Sequence, residues 1–192
     1  MNAILTLMTL MAAASPADFK HKTLPEIAVE NCSHVKPERY NEALKIALIL
    51  FEEEEKLKIP AVMRGMSLAA ACRESGFNPG AKGDRKFSRN KKKPMALGVL
   101  QLWPIYERMY PGLVRTDPRS AARGWLSHII KMLPKIRRQC KYRSVKKVWI
   151  AAWVTGIRYK KPGGRCKEVP LHLRYFRKIR KVYENQGSTL SR

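Results

Sequence analysis

The sequence predicts an all-α single domain, and three observations predict it. Apolar residues recur at helical spacing in several segments, no segment alternates as a half-buried strand does, and no internal repeat is visible. The 192 residues have room for one ordinary domain with a proper core, plus a leader and short tails.

Residues 1–14 read as a signal peptide. The apolar run Ala3 to Ala14 ends in Ala12-Ala13-Ala14, and the first Lys or Arg is Lys20, so the terminal amine is the only positive charge ahead of the run. A buried N-terminal helix is the competing reading of the same residues. Residues 15–36 mix Pro, polar and apolar residues without a period and are expected to form an extended arm packed on a domain that spans 37–184. Pro37-Glu38 opens a first helix, with Leu44, Ala47, Leu48, Phe51 and Leu57 on its apolar side and Glu52 to Glu55 as a solvated acidic patch. A second helix is expected from Pro60 to Arg73, carrying Val62, Met63, Met66, Leu68, Ala69, Ala70 and Cys72, until Gly76 and Asn78-Pro79 stop it.

The stretch Lys82 to Pro94 is a polar, basic insertion, and Arg85 to Lys93 within it reads as a mobile flap or a solvated charge run. Asp117-Pro118 is a capped helix start leading into Ala121, Ala122, Trp125, Ile129, Ile130 and Leu133, with Pro134 ending or kinking the helix. Ser144 caps the next helix, whose apolar side is Val145, Val148, Trp149, Ala152 and Trp153. After a loop at Lys160 to Lys167, Pro170 begins a last helix. Leu171, Leu173, Phe176, Ile179 and Val182 should face inward, and Arg174, Arg177, Lys178, Arg180 and Lys181 outward. Residues 185–192 are expected to fray into a flexible tail.

Four cysteines, Cys32, Cys72, Cys140 and Cys166, form an even set in a chain that reads as exported to the periplasm or beyond the cell, so disulfides are expected. Of the three connectivities, antiparallel first and second helices would bring the chain before Glu38 close to Cys72. That favours Cys32–Cys72 and leaves Cys140–Cys166. No two cysteines have a short ligand spacing, and His21, His34, His128 and His172 are scattered, so no metal and no cofactor is expected. No segment after the leader is long and apolar enough for stable membrane insertion.

The formal charge of +24 is uneven: residues 1–57 hold six Lys or Arg against nine Asp or Glu, and residues 58–192 hold thirty-three against six. Such a basic surface implies an anionic polymer close to where the protein works. For an exported chain that polymer would be peptidoglycan with its peptide carboxylates or another anionic envelope polymer; for a cytoplasmic one, nucleic acid.

The most informative residue is Glu74. It ends an apolar helix, where a hydrophobic body and the negative end of the helix dipole both disfavour a charged carboxylate. A carboxylic acid that holds its proton is what glycosidic cleavage requires, because the leaving oxygen must be protonated as the bond breaks. Two blocks surround it: Glu74-Ser75-Gly76-Phe77-Asn78-Pro79-Gly80-Ala81, and Ala96-Leu97-Gly98-Val99-Leu100-Gln101. These are similar to the Glu-Ser-x-Phe-Asn-Pro-x-Ala and Ala-x-Gly-x-x-Gln signatures of the lytic transglycosylase and goose-type lysozyme superfamily, whose domains cleave peptidoglycan glycan strands. The resemblance covers roughly residues 36 to 180. It implies a lysozyme-like fold, makes Glu74 the catalytic acid acting on the β-1,4 bond between MurNAc and GlcNAc, and makes Gln101 a sugar contact.

Where the family has Ala-Tyr-Asn-Ala-Gly, this chain has Ala152-Trp153-Val154-Thr155-Gly156. Trp can only donate a hydrogen bond and Val offers none. If Trp153 still faces the cleft, recognition of the N-acetyl sugar must differ, and N-deacetylated glycan becomes a candidate substrate. In that respect the pattern resembles, weakly, the deacetylation-specific lysozymes of predatory bacteria. In the transglycosylase branch one acid suffices and a 1,6-anhydro ring forms; in an inverting lysozyme a second carboxylate activates water from roughly 6.5 to 9.5 Å away. Asp84 is the nearest candidate in sequence, with a surface Asp paired to Arg or Lys as its plainer reading. Ser75 is a candidate substrate contact or a backbone cap. Trp103, Tyr106 and Tyr110 are candidates to stack on sugar faces or to pack in the core, with Trp103 the first choice for the cleft. Nothing in the sequence demands more than a monomer. The rival functions are a basic nucleic-acid binder on a lysozyme-like scaffold and a catalytically inactive wall-binding module.

Overall fold

The computed structural model describes residues 21–84, 94–141, 143–157 and 170–188. Its described residues form seven α-helices and one two-residue hairpin, so the all-α expectation holds. The expected leader 1–14, the flap Arg85 to Lys93, the loop at 160–167, Cys166 and the last four residues lie outside the described residues.

The first helix, α1 (Leu24–Glu30), corrects the expectation of an extended arm over 15–36 in its described part, 21–36. Thr23 and Glu26 form a capping box, with the Thr23 side chain accepting from Glu26 N and the Glu26 carboxylate taking the Thr23 N–H at 2.6 Å, and Pro25 fits the first turn. Leu24, Ile27, Ala28 and Val29 are buried, so α1 belongs to the core and the domain begins before residue 37. The next helix, α2 (Tyr40–Lys56), follows a 3₁₀ turn at Pro37–Arg39 and buries Ala43, Ile46, Ala47 and Leu50.

The acidic run at its end is not the solvated patch the sequence predicts. Glu53 is 1% exposed and Glu54 0%. The Glu53 carboxylate accepts from Arg119, Arg123 and Lys56 at 2.8 to 3.2 Å. Burial alone would raise its pKa, but the bonds from Arg123, Arg119 and Lys56 outweigh it and hold the carboxyl below its ordinary value.

The expected helix from Pro60 to Arg73 is broken in two. A 3₁₀ turn at Ala61–Met63 leads to Gly65, whose φ of 91° is a left-handed conformation that glycine adopts without strain, and α3 (Met66–Ser75) starts afresh. The break has a partner: Glu54 Oε2 accepts the Gly65 N–H at 2.6 Å, and Glu54 Oε1 accepts the N–H and hydroxyl of Ser67 at 2.7 and 2.6 Å. A buried carboxylate thus satisfies the donors that an α-helix leaves open at its start.

The hairpin pairs β1 (Lys82–Gly83) antiparallel with β2 (Ala96–Leu97), a small departure from a strand-free domain. A short α4 (Ile105–Met109) precedes α5 (Pro118–Cys140), capped by Asp117, whose Oδ1 accepts the Ser120 N–H at 2.7 Å. Pro134 lies inside α5 and does not end it. Helix α6 (Val145–Ile157) begins directly after Ser144 and buries Val148, Trp149, Ala152 and Trp153, while Val145 is exposed. Helix α7 (Pro170–Ser188) buries Leu173, Phe176 and Ile179, and continues through residues 185–188, where fraying is expected. Its Val182 is 38% exposed and not inward as its spacing suggests. One core runs through all of these, with α3 between α1, α2 and α7. None of the described helices is long and apolar enough to cross a membrane.

Candidate active site

The site is built around the C-terminal end of α3. Seven of its ten residues are buried, which makes it the central strut of the core. Near its end Cys72 is bonded to Cys32, so the expected Cys32–Cys72 bridge is present and ties α3 to the chain just after α1. The expected Cys140–Cys166 bridge ends on a residue outside the described ones. Glu74 and Ser75 follow in the last turn, and Gly76, at φ 60°, closes it. A Cβ at Gly76 would meet the His34 carbonyl oxygen at 2.7 Å, so both its backbone angle and its neighbour require glycine. Phe77 (φ 58°) then turns its ring fully into the core.

Glu74 is half-buried. The hydrophobic enclosure expected from the sequence is therefore partial, and one side of the carboxyl-bearing residue faces solvent. Ser75 sits differently from a sugar contact: its hydroxyl donates toward Val99 O at 2.8 Å and Ala71 O at 3.2 Å, and accepts the Asn78 N–H at 3.1 Å. It pins the Glu74 turn to the second block. Gln101 does the same from the other side, its Nε2 donating to Gly98 O at 2.9 Å and Ala81 O at 3.1 Å. The backbone bond from Gly98 N to Ala81 O, 3.0 Å, completes the tie. The blocks Glu74 to Ala81 and Ala96 to Gln101, separated by fourteen residues of sequence, thus form one hydrogen-bonded unit beside the hairpin.

That unit carries backbone strain. Of the five described non-glycine residues with positive φ, Phe77, Asp84 and Gln101 lie within or next to it. Left-handed angles cost non-glycine residues free energy and persist where the surroundings over-determine them. Gly98, at φ 78°, packs so tightly that a Cβ would lie 1.9 Å from Arg115 O. Arg115 was not singled out by sequence, yet its Nη1 donates to Met95 O and Leu102 O at 2.9 and 3.1 Å while its Nε pairs with Glu107 at 2.8 Å. It buttresses the second block from behind. Its signal in the sequence is only one basic residue among thirty-nine Lys and Arg.

The Asp84 Oδ2 accepts the indole N–H of Trp103 at 2.9 Å, and among the described residues no Lys or Arg is paired with it. Both residues are half-buried, so the pair forms a fixed edge with an indole and a carboxylate. Tyr106 is buried and Tyr110 half-buried; their rings meet the buried His128 edge-on at 5.3 and 6.1 Å, and the Tyr110 hydroxyl lies 3.2 Å from His128 Nδ1. Burial, aided by the charge of Lys131, lowers the His128 pKa. These two tyrosines support α4 and α5 from inside.

Trp153 is not in the cleft. It is 2% exposed, with Trp125 and Phe176 meeting it edge-on at 6.3 and 5.7 Å, so its expected role as a substrate contact is replaced by one at the junction of α5, α6 and α7. Among the described residues no group of His, Cys, Asp or Glu is arranged to hold a metal ion. Comparison of the chain with protein-family models, curated proteins and solved structures finds no match.

Proposed function

We propose that this chain cleaves the glycan strands of bacterial peptidoglycan, with Glu74 as the acid. The observation that supports this reading best is the union of the two sequence blocks. The acid stands in the last turn of a rigid, buried helix, and Ser75, Gly98 and Gln101 bind the loop that would form the cleft's other lip to that turn. Catalysis by proton transfer needs a donor whose position is fixed to within a fraction of an ångström, and a helix anchored in the core supplies that.

In this mechanism the Glu74 carboxyl gives its proton to the bridging oxygen as the bond from the MurNAc anomeric carbon breaks. The resulting carboxylate then takes a proton from the sugar's own 6-hydroxyl as a 1,6-anhydro end closes, or, on a hydrolytic route, a second carboxylate takes the proton of a water attacking from the opposite face, giving a reducing end. A glycan laid against the half-buried residue excludes the solvent that now reaches it. Trp103, with its ring held by Asp84, offers a flat apolar face to a pyranose. The Asp84 carboxylate is the second acid a hydrolytic route would use. With Trp153 in the core, the replaced third block puts no indole against the sugar and by itself sets no preference between acetylated and N-deacetylated glycan.

The bridged Cys32–Cys72 pair fits an exported protein, as action on a cell wall requires. The decisive experiment is Glu74→Gln, which is isosteric and lies on a residue already half in solvent. Purified sacculi should release no muropeptides with this variant while circular dichroism and melting temperature stay unchanged; a variant that still lyses sacculi refutes the reading. Mass analysis of wild-type products separates water attack from ring closure, and parallel digestion of acetylated and deacetylated wall identifies the preferred glycan. A nucleic-acid binder would instead give no sugar product with either protein and tight, steeply salt-dependent binding to DNA or RNA.

A further inference from the structure

A recess lies next to the 3₁₀ turn that precedes α3, at the end of that helix away from Glu74. Eight steps of helix, about 12 Å of rise, carry α3 from Met66 at that end to Glu74. The recess has a volume of about 210 Å³ and opens between the 3₁₀ turn at 61–63, the first turn of α6 and the outer face of α7. Lys146, Arg177, Arg180 and Lys181 line it, with Glu184 as its one acid. Glu184 is engaged by Arg180 at 2.5 Å, while Lys146 and Lys181 form no ion pair with a carboxylate among the described residues. Val62 and the buried ring of Phe176 make the apolar part of the wall.

We propose that this recess is an anion site that seats a phosphate group of a polyol-phosphate polymer of the cell envelope. Four cations against one acid leave a surplus of positive charge around a concave space, and like charges so placed repel until an anion enters. Guanidinium groups match phosphate oxygens with paired N–H donors, and the two lysines add mobile point charges. The space is larger than one phosphate group fills, so part of the attached unit enters too. Beyond it, α7 presents exposed Arg174 and Lys178 at helical spacing from Arg177 and Lys181, which a single small ion would leave unmatched. A repeating phosphodiester reaches them.

The lining speaks against nucleic acid. Single-stranded nucleic acid is held by stacking on exposed aromatic faces, and the recess's one ring, Phe176, is 1% exposed. Tyr183, exposed on the same helix, is not part of the wall. A site away from Glu74 would hold the protein on the envelope without obstructing the cleft, and its existence does not depend on glycan cleavage.

The test uses the whole chain and synthetic poly(glycerol phosphate), with oligothymidylate of equal charge and phosphatidylglycerol vesicles as comparison ligands. Titration should show binding of poly(glycerol phosphate) that weakens at least tenfold in the double variant Lys146→Glu with Lys181→Glu. It should weaken much less in the charge-matched control Lys45→Glu with Lys135→Glu, whose lysines are exposed elsewhere. In the wild type, hydrogen exchange over residues 174–184 should slow when the polymer is added, a readout that needs no variant. Equal weakening in both double variants, or no protection of α7, overturns the site. Tighter binding of oligothymidylate or of vesicles, lost with the same two lysines, overturns the polyol-phosphate assignment. Muropeptide release from sacculi stripped of such polymers should be the same for wild type and both double variants, so failure of the anion site and failure of the glycan-cleaving reading are told apart.

Discussion

Glu54 and Ser67 are joined by two hydrogen bonds, from the Ser67 N–H at 2.7 Å and its hydroxyl at 2.6 Å, both to the same carboxylate oxygen. The other oxygen takes the Gly65 N–H. An acid at the end of α2 therefore fixes the start of the helix that carries Glu74 at its finish, and the whole arrangement is enclosed.

Removing that acid should be costly. Glu54→Ala leaves three buried donors unmatched, each worth about 1 kcal/mol or more, so a loss of about 3 to 5 kcal/mol in urea unfolding is expected. Glu54→Gln, which keeps the volume and one acceptor, should lose less. Equal stability of Glu54→Ala and wild type would show that the contact contributes nothing.

The same residue sets a pH dependence. Burial pushes the Glu54 carboxyl up from 4.5 to about 7 against the bonds from Ser67 and Gly65. A folded-state pKa above the unfolded one means that its stabilising contribution is whole below about pH 4.5 and disappears as pH rises through about 7, a change on the order of 3 kcal/mol. His128, whose pKa burial lowers, acts in the opposite direction below about pH 6.5, and Glu53, lowered by its arginines, acts below its ordinary carboxylate range. The comparison that isolates Glu54 is the stability difference between wild type and Glu54→Gln, which should shift against the wild type from pH 4.5 to 8. A difference flat across that range would contradict the assignment.

Cleavage of the Cys32–Cys72 bridge should destabilise the chain by about 4 kcal/mol if the chain-entropy treatment of a 40-residue loop applies. The double variant Cys32→Ala with Cys72→Ala, melted beside the wild type under non-reducing conditions, measures it. Lysis at low temperature should survive better than stability, because neither sulfur takes part in the chemistry.

Gly98→Ala should unfold the second block, since the new Cβ would lie 1.9 Å from Arg115 O and the residue already has φ 78°. Gln101→Ala removes only the bonds to Ala81 and Gly98, so it should keep the melting temperature within a few degrees while lowering lysis at least tenfold. Loss of both in parallel would assign Gln101 to the core of the fold and not to the lip.

Trp153→Ala should cost about 3 to 5 kcal/mol as a core deletion, and Trp153→Phe much less. Both should change lysis only in proportion to the folded fraction; a specific rise in KM at full folding would return Trp153 to the cleft.

The longer helices were legible from local signals, namely spacing of apolar residues, Asp117 before Pro118 and Gly76 after an apolar run, and the Cys32–Cys72 pairing followed from setting the first two of them antiparallel. Glu53 and Glu54 were not. A row of four glutamates reads as solvated, and what buries two of them is distant in sequence, Arg119 and Arg123 for one and the donors at Gly65 and Ser67 for the other. The α1 capping box, Thr23 with Glu26, was present in the sequence, but seven residues are too few for a convincing period. Trp153 was assigned by its place in a motif, and packing against Trp125 and Phe176 decided otherwise. At the site, the pairing of Asp84 with Trp103 depends on a hairpin only two residues wide on each strand, below what alternation can reveal.

Helix α3 is held at one end by a carboxylate and at the other by a sulfur bridge, and a strut clamped twice cannot slide along its own axis. Heat would then loosen the surface helices before it displaces the acid, so inactivation on warming should begin as loss of the partner lip, with the proton donor the last piece of the apparatus to leave its place.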